Sequence, residues 1–139
     1  MRLKALTVAA AVAGALAFGA APADAAPYWQ TVNTGTSNWF CTGYKHHSVS
    51  DNVNWKVCEV TNANNDAQVV VVVQNAASVA ISIGGSVRSS YGSSGTCYTS
   101  TLNPGFTRGC YGQTVPYSSD GWWIQGTLTV NGVTDIWTS

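Results

Sequence analysis

The sequence predicts an all-β fold: a small antiparallel β-sandwich of immunoglobulin-like size, with seven or eight strands and two disulfides. Three observations lead there. The first is the stretch Ala67–Ile83, where the five valines Val69–Val73 carry apolar side chains to both faces and so need cover on both. The second is punctuation: short β-rich runs alternate with turn signals every 8–12 residues or so, and no stretch beyond the N-terminus has helical periodicity. The third is an even set of cysteines, Cys41, Cys58, Cys97 and Cys110, all downstream of an export-type leader.

That leader is residues 1–25. Arg2 and Lys4 form a positive start, Ala5 to Ala21 is apolar, and Ala23-Asp24-Ala25 fits a small-x-small cleavage site. The remaining residues, 26–139, are read as a single secreted β-sandwich domain, extracellular and without a membrane anchor after cleavage. No second apolar run in the sequence is long enough to span a bilayer.

The strands follow in order. Pro27–Thr34 is the first candidate, anchored by Trp29, and Gly35, Ser37 and Asn38 mark a turn. Trp39–Tyr44 begins the next segment and carries Cys41. Ser48–Asn54 reads as strand or loop, Trp55–Thr61 as strand, and Asn62–Asp66 as a turn cluster. After the valine strand, Val79, Ile81 and Ile83 alternate with small or polar residues, and Gly84-Gly85 predicts a bulge or bend before Val87–Tyr91. Thr96–Leu102 is a strand and Asn103-Pro104-Gly105 a tight turn. Phe106–Tyr111 is then expected to return antiparallel, bringing Cys97 to Cys110. The expected pairing is therefore Cys41–Cys58 and Cys97–Cys110. Gln113–Tyr117 contains Pro116 and reads as an edge. Finally, Trp122–Val130 and Val133–Trp137 flank Asn131-Gly132, the signature of a type I′ hairpin.

Composition narrows the function classes. Beyond the leader, four cations (Lys45, Lys56, Arg88, Arg108) stand against five acids (Asp51, Glu59, Asp66, Asp120, Asp135), a net charge of −1. There is no cationic footprint for nucleic acid or for an anionic membrane. No nucleophile-elbow, zincin, phosphate-loop or EF-hand motif is present, so no enzyme, metal or cofactor is expected. His46 and His47 read as two surface imidazoles beside Lys45.

Aromatics are the stronger clue. Strand parity puts Trp122, Ile124, Leu128 and Val130 on one face and Trp123, Gln125, Thr127 and Thr129 on the other. If the first set is inward, Trp123 lies outward among amides and hydroxyls. Such an indole can stack on the C–H face of a sugar or anchor a protein contact. The expected ligand-binding residues are Trp123, Gln125, Thr127, Trp39 and Trp29. The expected function is a monomeric, secreted, non-catalytic binding module for polysaccharide or cell wall.

Two other readings compete. One is a secreted inhibitor of an amylase or protease, whose partner is an extracellular protein. The layout is similar to that of the tendamistat-type α-amylase inhibitors, small two-disulfide β-sandwiches. In that family a Trp-Arg-Tyr run inside the first disulfide loop is inhibitory. Here that loop holds Tyr44-Lys45-His46 and Trp55-Lys56, and the Cys97-to-Cys110 gap is shorter, so no residue roles carry over. The other reading is a structural cell-surface protein assembled through the valine strand.

Overall fold

A computed structural model describes residues 27–118 and 122–139; the expected leader lies outside them. Ten strands run in the order β1 (Trp39–Cys41), β2 (Lys45–His47), β3 (Ser50–Thr61), β4 (Asp66–Asn75), β5 (Ile81–Ser89), β6 (Ser94–Leu102), β7 (Thr107–Tyr111), β8 (Val115–Pro116), β9 (Ile124–Val130) and β10 (Val133–Thr138). Three of them, β1, β2 and β8, are only two or three residues long; the seven longer strands make up the frame. The first sheet has the order β1-β3-β4-β7, with β2 also on β3 and β8 on β4. The second has the order β10-β9-β5-β6. All pairings are antiparallel, so the predicted all-β sandwich is what forms.

The valine strand sits in the middle of the first sheet, and all five valines are fully buried. Val69, Val71 and Val73 join the core between the sheets, with Trp55, Ile83, Ile124, Leu128 and Val130. Val70 and Val72 face the other way, under Val32, Trp39, Val60 and Tyr111. A strand apolar on both faces thus gets both covers.

The N-terminal segment departs from expectation. Pro27–Thr34 is not a strand; it makes one isolated bridge, Gln30 to Gly109. The Tyr98 amide donates to the Pro27 carbonyl (2.8 Å), and Gln30 exchanges two bonds with Gly109 (2.9 and 2.8 Å). The segment therefore bonds first to β6 of one sheet and then to β7 of the other. It closes the seam between the sheets and extends neither.

The second disulfide has the expected partners for a different reason. Cys41–Cys58 links directly opposed residues of β1 and β3. Cys97–Cys110, however, joins β6 and β7, which lie in different sheets. The chain from Thr96 does not form a hairpin with Phe106–Tyr111. After the Asn103–Gly105 turn it crosses to the first sheet, and β7 pairs with β4. Buried Asn75 organises the crossing. Its side chain donates to the Val79 and Leu102 carbonyls (2.9 and 3.0 Å) and accepts from the Ala77 amide (3.0 Å), while its backbone bonds Phe106 and Gly105. A buried amide satisfied this fully fixes where two connections change sheets.

The opposite seam is latched by β2 and β10. His47 is buried, which corrects the reading of both histidines as surface groups; only His46 is exposed. The Val49 amide donates to His47 Nδ1 (3.2 Å), so Nε2 carries the hydrogen and donates to the Leu128 carbonyl (2.9 Å). Asp135 accepts from the Ser48 amide (2.7 Å) and hydroxyl (2.5 Å). Burial by itself would raise the Asp135 carboxyl. The two Ser48 bonds, with His47 and Lys45 nearby, outweigh that and hold it below its ordinary range. The sign of the linkage follows. A depressed folded value contributes stability above the unfolded value, about pH 3.9, and that stability is lost as pH falls through the folded value. Asp135→Asn is expected to lower the thermal midpoint at neutral pH and to flatten the acid limb of a midpoint-versus-pH curve. An unchanged acid limb would show that the latch is not linked to proton uptake.

Candidate functional site

The outer face of the second sheet is where the parity argument can be checked. Along β9, Ile124, Gly126, Leu128 and Val130 are buried and Gln125, Thr127 and Thr129 are not. The hairpin that fixes this register turns at Asn131 (φ 49°) and Gly132 (φ 83°), two left-handed residues in succession, as a type I′ turn requires.

Register then lays out rows across the sheet. Thr138, Gln125, Arg88 and Ser94 form one; Ile136, Thr127, Ser86 and Thr96 the next; Thr134, Thr129 and Gly84 a third. Facing the last of these is Thr99, whose Oγ1 lies 3.6 Å from where a Gly84 Cβ would be. The contact would be an ordinary one, so glycine here is not avoiding a clash; it leaves a trough open. The trough encloses ≈ 400 Å³ between Ser82, Ser86, Thr96, Thr99, Thr127 and Thr129, and no charged residue lines it.

The predicted irregularity at Gly84-Gly85 is present in a more specific form. Ile83 pairs with Ser100 and Gly85 with Cys97, so two steps on β5 face three on β6. The additional residue belongs to β6, where Tyr98 and Thr99 are both exposed.

Trp123 continues the face just before β9. Its backbone makes two bonds with Ser90: the Ser90 amide donates to its carbonyl and its own amide donates to the Ser90 hydroxyl oxygen (both 3.0 Å). The indole is 36% exposed, with the Arg88 guanidinium 5.7 Å from the ring centroid. Arg88 Nε donates to Gln125 Oε1 (2.6 Å), and Gln125 Nε2 donates to Thr138 Oγ1 (2.7 Å). Ring, guanidinium and amide are therefore held before any ligand arrives, which lowers the ordering cost of binding. A neutral trough of hydroxyls, each both donor and acceptor, with an indole beyond the adjoining Arg88–Gln125 row suits a polyhydroxylated ligand.

Three of the five expected site residues, Trp123, Gln125 and Thr127, come together on this face. The other two do not join them. Trp29 is half-buried in the β6–β7 seam, its indole N–H donating to the Tyr98 carbonyl (3.0 Å). Trp39 stands on the first sheet, edge-on to Tyr111 with centroids 6.0 Å apart. Sequence reasoning missed Ser86, Arg88 and Thr96 as members of the face. Ser82, Ser86 and Arg88 alternate with Ile81, Ile83 and Val87, so carrying parity through the glycine pair would have found the β5 residues.

Trp122 is on the side of Ile124, as parity placed it, but it precedes β9, which begins at Ile124, and is 43% exposed at the seam instead of buried in the core. Its indole N–H donates to Oε2 of buried Glu59 (2.8 Å). Burial first, then the Glu59 charge, push the neighbouring Tyr91 hydroxyl above its ordinary value. Trp122, Ile124, Trp39, Phe40 and Thr42 border a second cleft, ≈ 410 Å³, at the open half of the β1–β9 seam.

Ser48, His47 and Asp135 do lie together, but as a latch. The serine bonds the aspartate, and both histidine nitrogens are engaged with backbone groups, leaving neither to take a proton from the hydroxyl. No protein-family model matches the chain, and no curated protein matches it either.

Proposed function

We propose that this protein is a secreted, non-catalytic module that binds polysaccharide or cell wall along the outer face of the β10-β9-β5-β6 sheet. The observation carrying this reading is a neutral hydroxyl-lined trough on the same sheet face as a pre-positioned indole, Trp123, with the Arg88–Gln125 row between them. Stacking supplies affinity and the hydroxyl and amide rows supply orientation. Two disulfides support an oxidising, extracellular setting. The expected leader fits the same setting.

The test is a pull-down of the oxidised protein on insoluble polysaccharides and cell walls. Wild type is expected to bind at least one of them. Trp123→Ala is expected to weaken that binding by roughly tenfold or more, as for an anchor aromatic, with an unchanged thermal midpoint because the ring is partly exposed. Undiminished binding by the variant would put the ligand elsewhere. Absence of binding across the panel would remove the reading and favour inhibition of an extracellular hydrolase, for which a panel of amylases and proteases is the assay.

A further inference from the structure

All four cations of the described residues stand over aromatic rings. Lys45 Nζ lies between Trp55 and Trp137, 4.7 and 4.4 Å from their centroids. Lys56 lies 4.3 Å over Tyr44, Arg88 5.7 Å over Trp123 and Arg108 5.0 Å over Phe106. None of the four stands over Trp39, Phe40 or Trp122, which line the ≈ 410 Å³ seam cleft. Phe40 and Trp122 are 57% and 43% exposed there, so their rings are available to a ligand.

The same cleft has an acid behind it. Glu59 is buried (4% exposed), and its Oε2 accepts the Trp122 indole N–H. Among the described residues no Lys or Arg nitrogen forms an ion pair with it; the one acid–base contact there is His47 with Asp135. Phe40 pairs with Glu59 across β1 and β3, so the phenyl ring and the carboxylate share one side of the sheet. Hydrogen-bonding an indole N–H to a carboxylate pushes electron density onto the ring, and the negative face of the ring is what attracts a cation. A buried negative charge adds a longer-range attraction of the same sign.

From this charge complementarity we infer that the seam cleft binds an organic cation, a substituted ammonium whose alkyl groups contact Trp122 and Phe40. A bulky, weakly hydrated ammonium matches aromatic walls better than a metal ion, because the lining offers ring faces in place of a set of oxygen ligands. This site is separate from the sheet face proposed above, and neither depends on the other.

Choline and its neutral carbon isostere neohexanol are the probes, titrated by calorimetry into the oxidised protein. Choline is expected to bind about tenfold more tightly than neohexanol, between the effects of an exposed and a desolvated cation–π contact. It should also shift the indole N–H resonance that Trp122→Phe removes. Trp122→Leu and Phe40→Leu are each expected to weaken choline several-fold, and Glu59→Gln to weaken it while leaving neohexanol unchanged. Phe40 is the more exposed ring, so its variant keeps the test decisive if Trp122→Leu folds poorly. Equal affinity for the two probes, no heat with either, or full choline binding by a folded Phe40→Leu would each overturn the inference.

Discussion

Trp55→Ala is expected to destabilise the domain by about 3–5 kcal/mol, the cost of removing a fully buried aromatic side chain and leaving a cavity. Trp55 is the largest of the side chains with no exposure. It meets Trp137 edge-on at 5.8 Å and His47 at 6.3 Å, and Lys45 lies over its ring. Those partners come from β2 and β10, so the indole holds the latched seam as well as filling the core. Against the ~5–15 kcal/mol that holds a typical domain together, such a loss leaves little margin. A fall of roughly 15–25 °C in thermal midpoint is the expected reading. Trp55→Phe separates the contributions. The Trp55 indole N–H has no hydrogen-bond partner among the described residues, so its removal forfeits none. The phenyl ring keeps much of the packing, and about 1–2 kcal/mol is expected. Equal losses for the two variants would mean that ring size, and not burial as such, sets the stability.

Replacing Cys97 and Cys110 together by alanine is expected to cost about 3 kcal/mol, and the loss should be global. The two disulfides close loops of similar length, with sequence separations of 13 and 17, so loop entropy alone predicts nearly equal effects. Their positions predict different ones. Cys97–Cys110 ties the β6 edge of one sheet to β7 of the other, and its loss loosens the contact between layers. Cys41–Cys58 pins a strand of three residues to β3, and its loss can be absorbed by local opening of β1. Urea unfolding of both double variants, with amide exchange, reads the difference. The Cys97/Cys110 variant should lower the midpoint and the protection of core amides in β4 and β5 alike. The Cys41/Cys58 variant should expose β1 amides first. Identical exchange patterns would contradict this division of roles.

Local features were legible in the sequence because they depend on neighbours in the chain. The Asn131-Gly132 turn demands left-handed geometry, the alternation from Ile124 to Val130 demands one dry face, and the Val69–Val73 run demands two. What failed was the choice of sheet. Asn103-Pro104-Gly105 reads equally as a hairpin turn or as an arch between layers, and the fully satisfied side chain of Asn75, far off in sequence, selects the arch. Pro27–Thr34 has the composition of a strand, yet its two backbone partners, Tyr98 and Gly109, lie on different sheets. His47 looked like a surface residue because no pattern reveals that a carbonyl at Leu128 will satisfy its ring. At the site, parity carried Trp123, Gln125 and Thr127 to one face and Trp122 to the side of Ile124, but did not reveal how exposed Trp122 is. The strand begins two residues later than assumed, at Ile124, so Trp122 stands half-exposed at the seam and not in the core.

The place of β9 between β5 and β10 bears on how the chain is made. Synthesis delivers the first sheet's strands and the β5–β6 pair before any of β9 exists. Until residues through Val130 emerge, β5 keeps a bare edge, and Val69, Val71 and Val73 lack the cover of Ile124, Leu128 and Val130. The nascent chain thus passes through a stage with a sticky edge and an open valine face, when self-association competes with completion. Final closure waits on pairings distant in sequence, which fold slowly.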